Sequence, residues 1–170
     1  MTGFKALRDT LVLRAIAAVK IPMLAYARPS VEEISEQRTV VRIPFGRRTR
    51  NHLDCMYFGA LCAGAELGPG LLTLKLIRGR ARGLSLIFKE FHARFLKRAE
   101  GDVRFTCQDA AALAALVDRA AQSGQREEAT VRVTATCPDK LSEEPVGEFT
   151  LTISVKQAAR AEARRSRANG

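Results

Sequence analysis

Asn51-His52-Leu53-Asp54-Cys55-Met56-Tyr57-Phe58-Gly59-Ala60-Leu61-Cys62-Ala63-Gly64-Ala65-Glu66-Leu67 runs into Gly68-Pro69-Gly70, after which come Leu71, Leu72, Leu74, Leu76 and Ile77. The first half of this stretch is dense in small residues, and Glu66 is its only acid between Asp54 and Arg78. A helix from about Cys55 to Leu67 is apolar or small on nearly every side, so it should be surrounded by protein. Gly68-Pro69-Gly70 is expected to kink or break it, with a second helical stretch beyond.

Strand patterns lie on both sides. Upstream, Val31 to Phe45 reads as one strand, with Val41, Ile43 and Phe45 alternating against Arg42 and Pro44, and it ends at the basic turn Gly46-Arg47-Arg48. Downstream, Leu84 to Leu96 is extended, and a turn at Glu100-Gly101-Asp102 leads into Val103 to Cys107, so the two read as a hairpin. Asp109 can cap an Ala-rich helix carrying Leu113, Leu116 and Val117, which Gly124 would end. Val131, Val133 and Ala135 alternate with polar residues, as do Phe149, Leu151, Ile153 and Val155, so each segment has one buried face. Strands with short links imply an antiparallel sheet, and the all-round apolar helix needs that sheet curled about it. The fold class is α+β.

At the start of the chain, Phe4, Leu7, Leu11, Ala15, Val19 and Met23 recur at three- and four-residue steps, an amphipathic helix that Pro22 ends or kinks. The expected division is residues 1–28 for this helix, 29–157 for the main body and 158–170 for a basic Ala/Arg tail without a core-forming pattern.

Composition narrows the function classes. The 170 residues suit one domain with its own core, and the four cysteines, Cys55, Cys62, Cys107 and Cys137, include no C-x-x-C pair. Cys107 and Cys137 read as small buried hydrophobes, and a reducing compartment fits. Lys5, Arg8, Asp9, Arg14 and Lys20 interrupt the first apolar stretch, which reads as neither a signal peptide nor a membrane span, and a soluble cytoplasmic protein is the expectation. The formal charge of +10 favours a polyanionic partner without choosing one. His52 and His92 have no ligand or triad spacing, and no Gly-x-Ser-x-Gly elbow or Cys/His pair supports covalent Ser or Cys catalysis.

Asn51 to Leu61, with Ala65-Glu66-Leu67, resembles the loop and central-helix motif of hotdog-fold thioesterases. Phe95-Leu96-Lys97-Arg98-Ala99 and Gly101-Asp102-Val103 resemble the next conserved stretch of that superfamily. The similarity is greatest to a bacterial branch of unknown function related to the phenylacetyl-CoA thioesterase type, and it covers Val31 to Val155. It implies a hotdog fold, in which an antiparallel sheet wraps a central helix, here with an extra N-terminal helix. It also implies a homodimer or tetramer whose sheets join edge to edge, with acyl-CoA in the groove between protomers. No metal is implied, and no cofactor beyond the coenzyme A of the substrate.

Three roles follow from the resemblance. Glu66 matches the carboxylate that activates water or attacks the thioester. Gly59 and its neighbours match the backbone amides that polarise the thioester carbonyl. Asn51 matches the loop amide that positions water or substrate across the dimer interface. Met56, Tyr57 and Phe58 are expected to contact substrate, and Arg80 and Arg82 to reach the phosphates of CoA, as could Arg47, Arg48 and Arg50. Many relatives have His-Gly-Gly where this chain has Tyr57-Phe58-Gly59, and close relatives often have Gly where it has Asp54.

The roles are chemically coherent. A thioester carbonyl gains negative charge as it becomes tetrahedral, and free N–H groups at a helix start stabilise that charge. A carboxylate among apolar residues is a better base near neutrality. Other readings stay open: Asn51 as a helix cap, Glu66 as a buried structural acid, Tyr57 as core packing, and the arginines as a solvated charge run. Acyl-CoA thioesterase is the leading function. A non-catalytic acyl-thioester or fatty-acyl binding protein on the same fold comes second, and nucleic-acid or membrane-surface binding comes last.

Overall fold

The computed structural model describes residues 2–81 and 83–158. Arg82 and the basic tail beyond Ala158 therefore lie outside the described residues. In chain order the elements are α1 (Thr2–Lys20), α2 (Pro22–Tyr26), β1 (Ser30–Ile34), β2 (Thr39–Ile43), α3 (Phe58–Arg80) and β3 (Leu84–Phe95). Then follow β4 (Val103–Cys107), α4 (Ala110–Ser123), β5 (Glu127–Thr136), α5 (Pro138–Leu141) and β6 (Pro145–Gln157). The six strands form one antiparallel sheet in the order β1-β2-β4-β5-β6-β3. It curves around α3, and α4 packs against α3 and β5. This is the helix-in-sheet arrangement that the resemblance implies.

The core is aliphatic. Val131, Val133 and Ala135 of β5 and Phe149, Leu151, Ile153 and Val155 of β6 are all buried, as their alternation predicts. Cys107 and Cys137 are buried as well. Gly124 ends α4 with a left-handed φ of 65°. Asp109 stands at the N-cap position, but its carboxylate accepts from the Arg132 N–H at 2.7 Å and does not cap the helix.

Four local expectations change. First, α3 is continuous for 23 residues, with Pro69 inside it. A proline in a helix interior costs about 3 kcal/mol, but here Leu67 to Gly70 are all buried within the sheet, so packing holds what local propensity would break. The small residues serve that packing. A Cβ on Gly64 would lie 2.2 Å from the Phe105 ring, and one on Gly68 would lie 2.6 Å from Thr39 Oγ1.

Second, the single strand over residues 31–45 is two strands. Ser35 makes the turn: its hydroxyl donates to Glu33 and accepts from the Arg38 N–H. Third, β3 does not form a hairpin with β4. It pairs with β6 from Leu84↔Gln157 to Phe95↔Gly147, while β4 lies between β2 and β5. The seven residues between Phe95 and Val103 carry the chain from the β3 edge past β6 and β5 to β4.

Fourth, the periodic apolar stripe of α1 faces out. Phe4, Leu7, Leu11, Ala15 and Val19 are exposed, and the buried positions are Asp9, Thr10, Leu13 and Ala17. The helix carries two apolar stripes on opposite sides. Thr10 fixes the choice, because its hydroxyl accepts from the Val31 N–H at 2.9 Å and joins α1 to β1.

Candidate active site

The start of α3 is built by a loop stitched to its surroundings through the backbone. Tyr57 N–H donates to Thr49 O at 2.7 Å, and Met56 N–H to Ala99 O at 2.7 Å. Thr49 is buried, and its hydroxyl donates to Pro44 O at 2.8 Å. Asp102 anchors the entrance, accepting from the Phe45 N–H at 2.8 Å and from Arg42 at 2.5 Å. Asp54 occupies a left-handed conformation at φ 56° and pairs with Arg50 at 3.2 Å. Glycine is most at ease in such a turn, and Asp is among the few other residues that tolerate it.

These contacts leave the helix start open. Ala60 and Leu61 donate to Tyr57 O, while the N–H groups of Phe58 and Gly59 have no hydrogen-bond partner among the described residues. No side chain caps the helix. Two free amides at the positive end of a long helix are what an oxyanion requires. The Tyr57 ring lies against Gly59, where a Cβ would come within 2.4 Å of it. That ring packs at a tilt against Phe58 at 4.7 Å between centroids, and Phe58 meets Phe95 edge-on at 6.3 Å. All three rings are about half exposed.

The Asn51 side chain is engaged within its own loop. Its Oδ1 accepts from the Leu53 N–H at 2.8 Å and the Cys55 N–H at 3.3 Å. Asn51, Met56, Phe58 and Phe95 share a cleft of about 410 Å³ that continues along Leu96 to Ala99. Met56 is buried at its floor.

Glu66 lies two turns further along α3 and opens on a different cavity, of about 310 Å³. Its walls are α1 (Leu13, Ile16, Ala17), α3 and β3 (Leu86, Ile87, Phe88), and among the described residues Glu66 is the only charged one lining it. No hydrogen bond or ion pair holds the carboxylate among the described residues, and burial alone pushes its pKa above the usual 4.5. Cys62, one turn earlier, is also pushed up, by burial first and then by the charge of Glu66.

The site residues therefore fall into separate groups. Asn51, Met56, Tyr57, Phe58 and Gly59 come together at the helix start, and Glu66 stands apart from them within one chain. Arg80 is at the far end of α3, about 33 Å from Phe58 at 1.5 Å per residue, where it pairs with Asp118 at 3.1 Å. Arg82 lies outside the described residues. Arg48 sits over the Tyr26 ring at 5.1 Å. The walls contributed by α1 and by Leu86 to Phe88 are absent from the sequence reading. The signal available for α1 was the second apolar stripe, Leu13, Ile16 and Ala17.

Solved structures with the same architecture are known. A Pseudomonas aeruginosa protein of unknown function, described as a probable thioesterase, is 26% identical with a TM-score of 0.68, over 87% of this chain and 95% of that one. A Chlorobaculum tepidum protein of unknown function is 12% identical with a TM-score of 0.75, over 89% and 96%. A Haemophilus influenzae thioesterase is 11% identical with a TM-score of 0.60, over 85% and 90%. No functionally curated protein matches this chain. The fold is thus the hotdog fold of thioesterase-like proteins. The model of the DUF4442 family, a domain of unknown function, matches residues 10–155, and the chain belongs to that family.

Proposed function

We propose that this protein hydrolyses acyl-CoA thioesters, with Glu66 activating the attacking water and the free amides at the start of α3 receiving the developing oxyanion. The observation that carries the reading is Glu66 itself, an unpaired carboxylate on an apolar cavity large enough for an acyl group. The Pseudomonas relative described as a probable thioesterase supports it. Attack on the carbonyl carbon transfers a water proton to Glu66, and collapse of the tetrahedral intermediate expels CoA thiolate, which takes up that proton. No metal is required.

The pH profile tests the assignment. A base acts when deprotonated, so kcat/KM should fall on the acid side around the raised pKa of Glu66, above the ordinary 4.5. An acid limb at or below 4.5 would point to another base.

The separation of Glu66 from Asn51 and Gly59 supports a site shared between two copies. β3 is an edge strand of 12 residues, and Ile87, Phe91 and Phe95 along it are all substantially exposed. A long apolar edge invites a second strand. β3 also links the two clefts: its residues 86–88 line the Glu66 cavity, and Phe95 with Leu96 lines the Asn51 cleft. Antiparallel pairing of two β3 strands about a two-fold near Phe91 would run residues 86–88 of one copy alongside the partner's Phe95, with the bulge between Phe88 and Glu90 setting the local register. The Glu66 cavity of one copy would then adjoin the partner's helix start. Phe91→Asp places two carboxylates at that axis and is expected to give a monomer by light scattering, with loss of CoA release. A wild-type chain that is monomeric and active would contradict the shared site.

A second reading is favoured by the Tyr57 and Phe58 rings at the helix start: an acyl-thioester binding protein without turnover. It predicts that acyl-CoA is retained intact.

A further inference from the structure

We infer that the outer face of α1 docks on an anionic lipid surface. This goes beyond the thioesterase reading and does not depend on it. At 100° per residue, Phe4, Leu7, Leu11 and Ala15 fall within about 80° of arc. Val19 extends the stripe, and Met23 of α2 lies beyond it. Phe4 is 82% exposed, Val19 77% and Met23 67%, values far from those of residues with a packing role in this fold. Arg14 borders the stripe on one side, with Arg8 and Lys5 on the other, and all three are exposed.

The charges complement one type of surface. Residues 1–31 hold five basic residues, Lys5, Arg8, Arg14, Lys20 and Arg28, and a single acid, Asp9. Asp9 is buried on the opposite side, paired with Lys75 at 3.4 Å and with Arg8 at 3.4 Å, so Arg8 is partly neutralised but the outer face presents no negative charge of its own. Apolar side chains flanked only by cations suit a helix lying in the plane of an anionic bilayer, the rings and aliphatic chains below the headgroups and the amines among them. α3 is the one described helix long and apolar enough to span a membrane, and the sheet encloses it, so the contact is peripheral. The charge of the chain alone ranks a membrane surface last. The outward stripe on α1 supplies what charge alone lacks.

The placement has a consequence. The inner face of the same helix, through Leu13, Ile16 and Ala17, forms one wall of the Glu66 cavity. A bilayer on the outer face would therefore lie one helix diameter from that cavity.

The full chain, sedimented with vesicles of phosphatidylcholine alone or mixed with phosphatidylglycerol, tests the proposal. Binding to the mixed vesicles is expected to exceed binding to neutral ones by at least about tenfold, since several basic residues near the surface are attracted to anionic headgroups. It should weaken as salt rises. Leu11→Glu with Val19→Glu alters only exposed positions and should abolish binding with Tm unchanged, and Phe4→Ser with Leu7→Ser should weaken it in the same way. Absence of binding to the mixed vesicles would overturn the proposal. So would full binding by the variants, which would assign the affinity to other basic segments. A halving of mass in the Leu11→Glu, Val19→Glu variant would show that a second copy covers the face, and would overturn it too. CoA release from a water-soluble short-chain acyl-CoA, measured without vesicles, reports on the thioesterase reading separately.

Discussion

Glu66→Gln is expected to lower kcat for acyl-CoA hydrolysis by about 10²–10⁴, the usual contribution of a positioned general base, and at the same time to stabilise the fold. The two effects have one cause. Apolar walls raise the pKa of Glu66, which makes the carboxylate a useful base and also makes its charged form costly in the folded state. The folded protein binds this proton more tightly than the unfolded chain does. The stability associated with Glu66 is therefore fully present below pH 4.5 and declines as pH rises through the folded-state pKa. Glutamine has no such charge, so Tm of the variant should exceed that of the native protein at pH 8, and the difference should shrink toward pH 4. Thermal melts at the two pH values, beside steady-state CoA release, check both halves. A structural Glu66 held by an unseen partner would show the reverse, a lower Tm at pH 8 and little change in rate.

Gly64→Ala should destabilise the protein by about 2 kcal/mol, or about 4–8 °C in Tm for a chain of this size. In an exposed helix the same change gains up to about 1 kcal/mol. Here the new Cβ would lie 2.2, 2.3 and 2.7 Å from Cε2, Cζ and Cδ2 of Phe105. That ring cannot yield easily: Phe105 is 1% exposed, sits between Val41 and Ala135 in the middle of the sheet, and packs on Phe149 at 6.3 Å. Gly79 provides the control, because nothing lies within 4 Å of its added Cβ and it is also in α3. Gly79→Ala should stabilise slightly. Phe105→Leu in the Gly64→Ala background should recover part of the loss, a coupling expected of residues in contact. Equal effects at Gly64 and Gly79 would mean that the sheet does not press on α3 as described.

The architecture was legible where a pattern has only one physical solution. A segment that is small or apolar on every side can only be enclosed, and α3 is enclosed. The alternation in β5 and β6 has one burial pattern, and those strands have it. Reading failed where two solutions share a pattern. α1 carries two apolar stripes, and periodicity picked the longer one, while the Thr10 contact with Val31 turned the other inward. Local rules end a helix at Gly68-Pro69-Gly70, but the energy that keeps α3 intact comes from strands distant in sequence. The partner of β3 was misread because chain proximity suggested β4, whereas the register runs to β6. Of the site, the N–H groups of Phe58 and Gly59 are free among the described residues and Glu66 lies among apolar walls. Their separation within one chain has no signature in local sequence, since it depends on which strand forms the edge of the sheet.

The most direct measurement is release of free CoA from short, long and aromatic acyl-CoAs by the native protein and by Glu66→Ala side by side. Turnover of at least one acyl class by the native protein is expected, reduced at least about a hundredfold in the variant. Equal turnover by both proteins would contradict the role of Glu66. Intact acyl-CoA bound by both without release would contradict hydrolysis itself and leave an acyl-thioester binding protein.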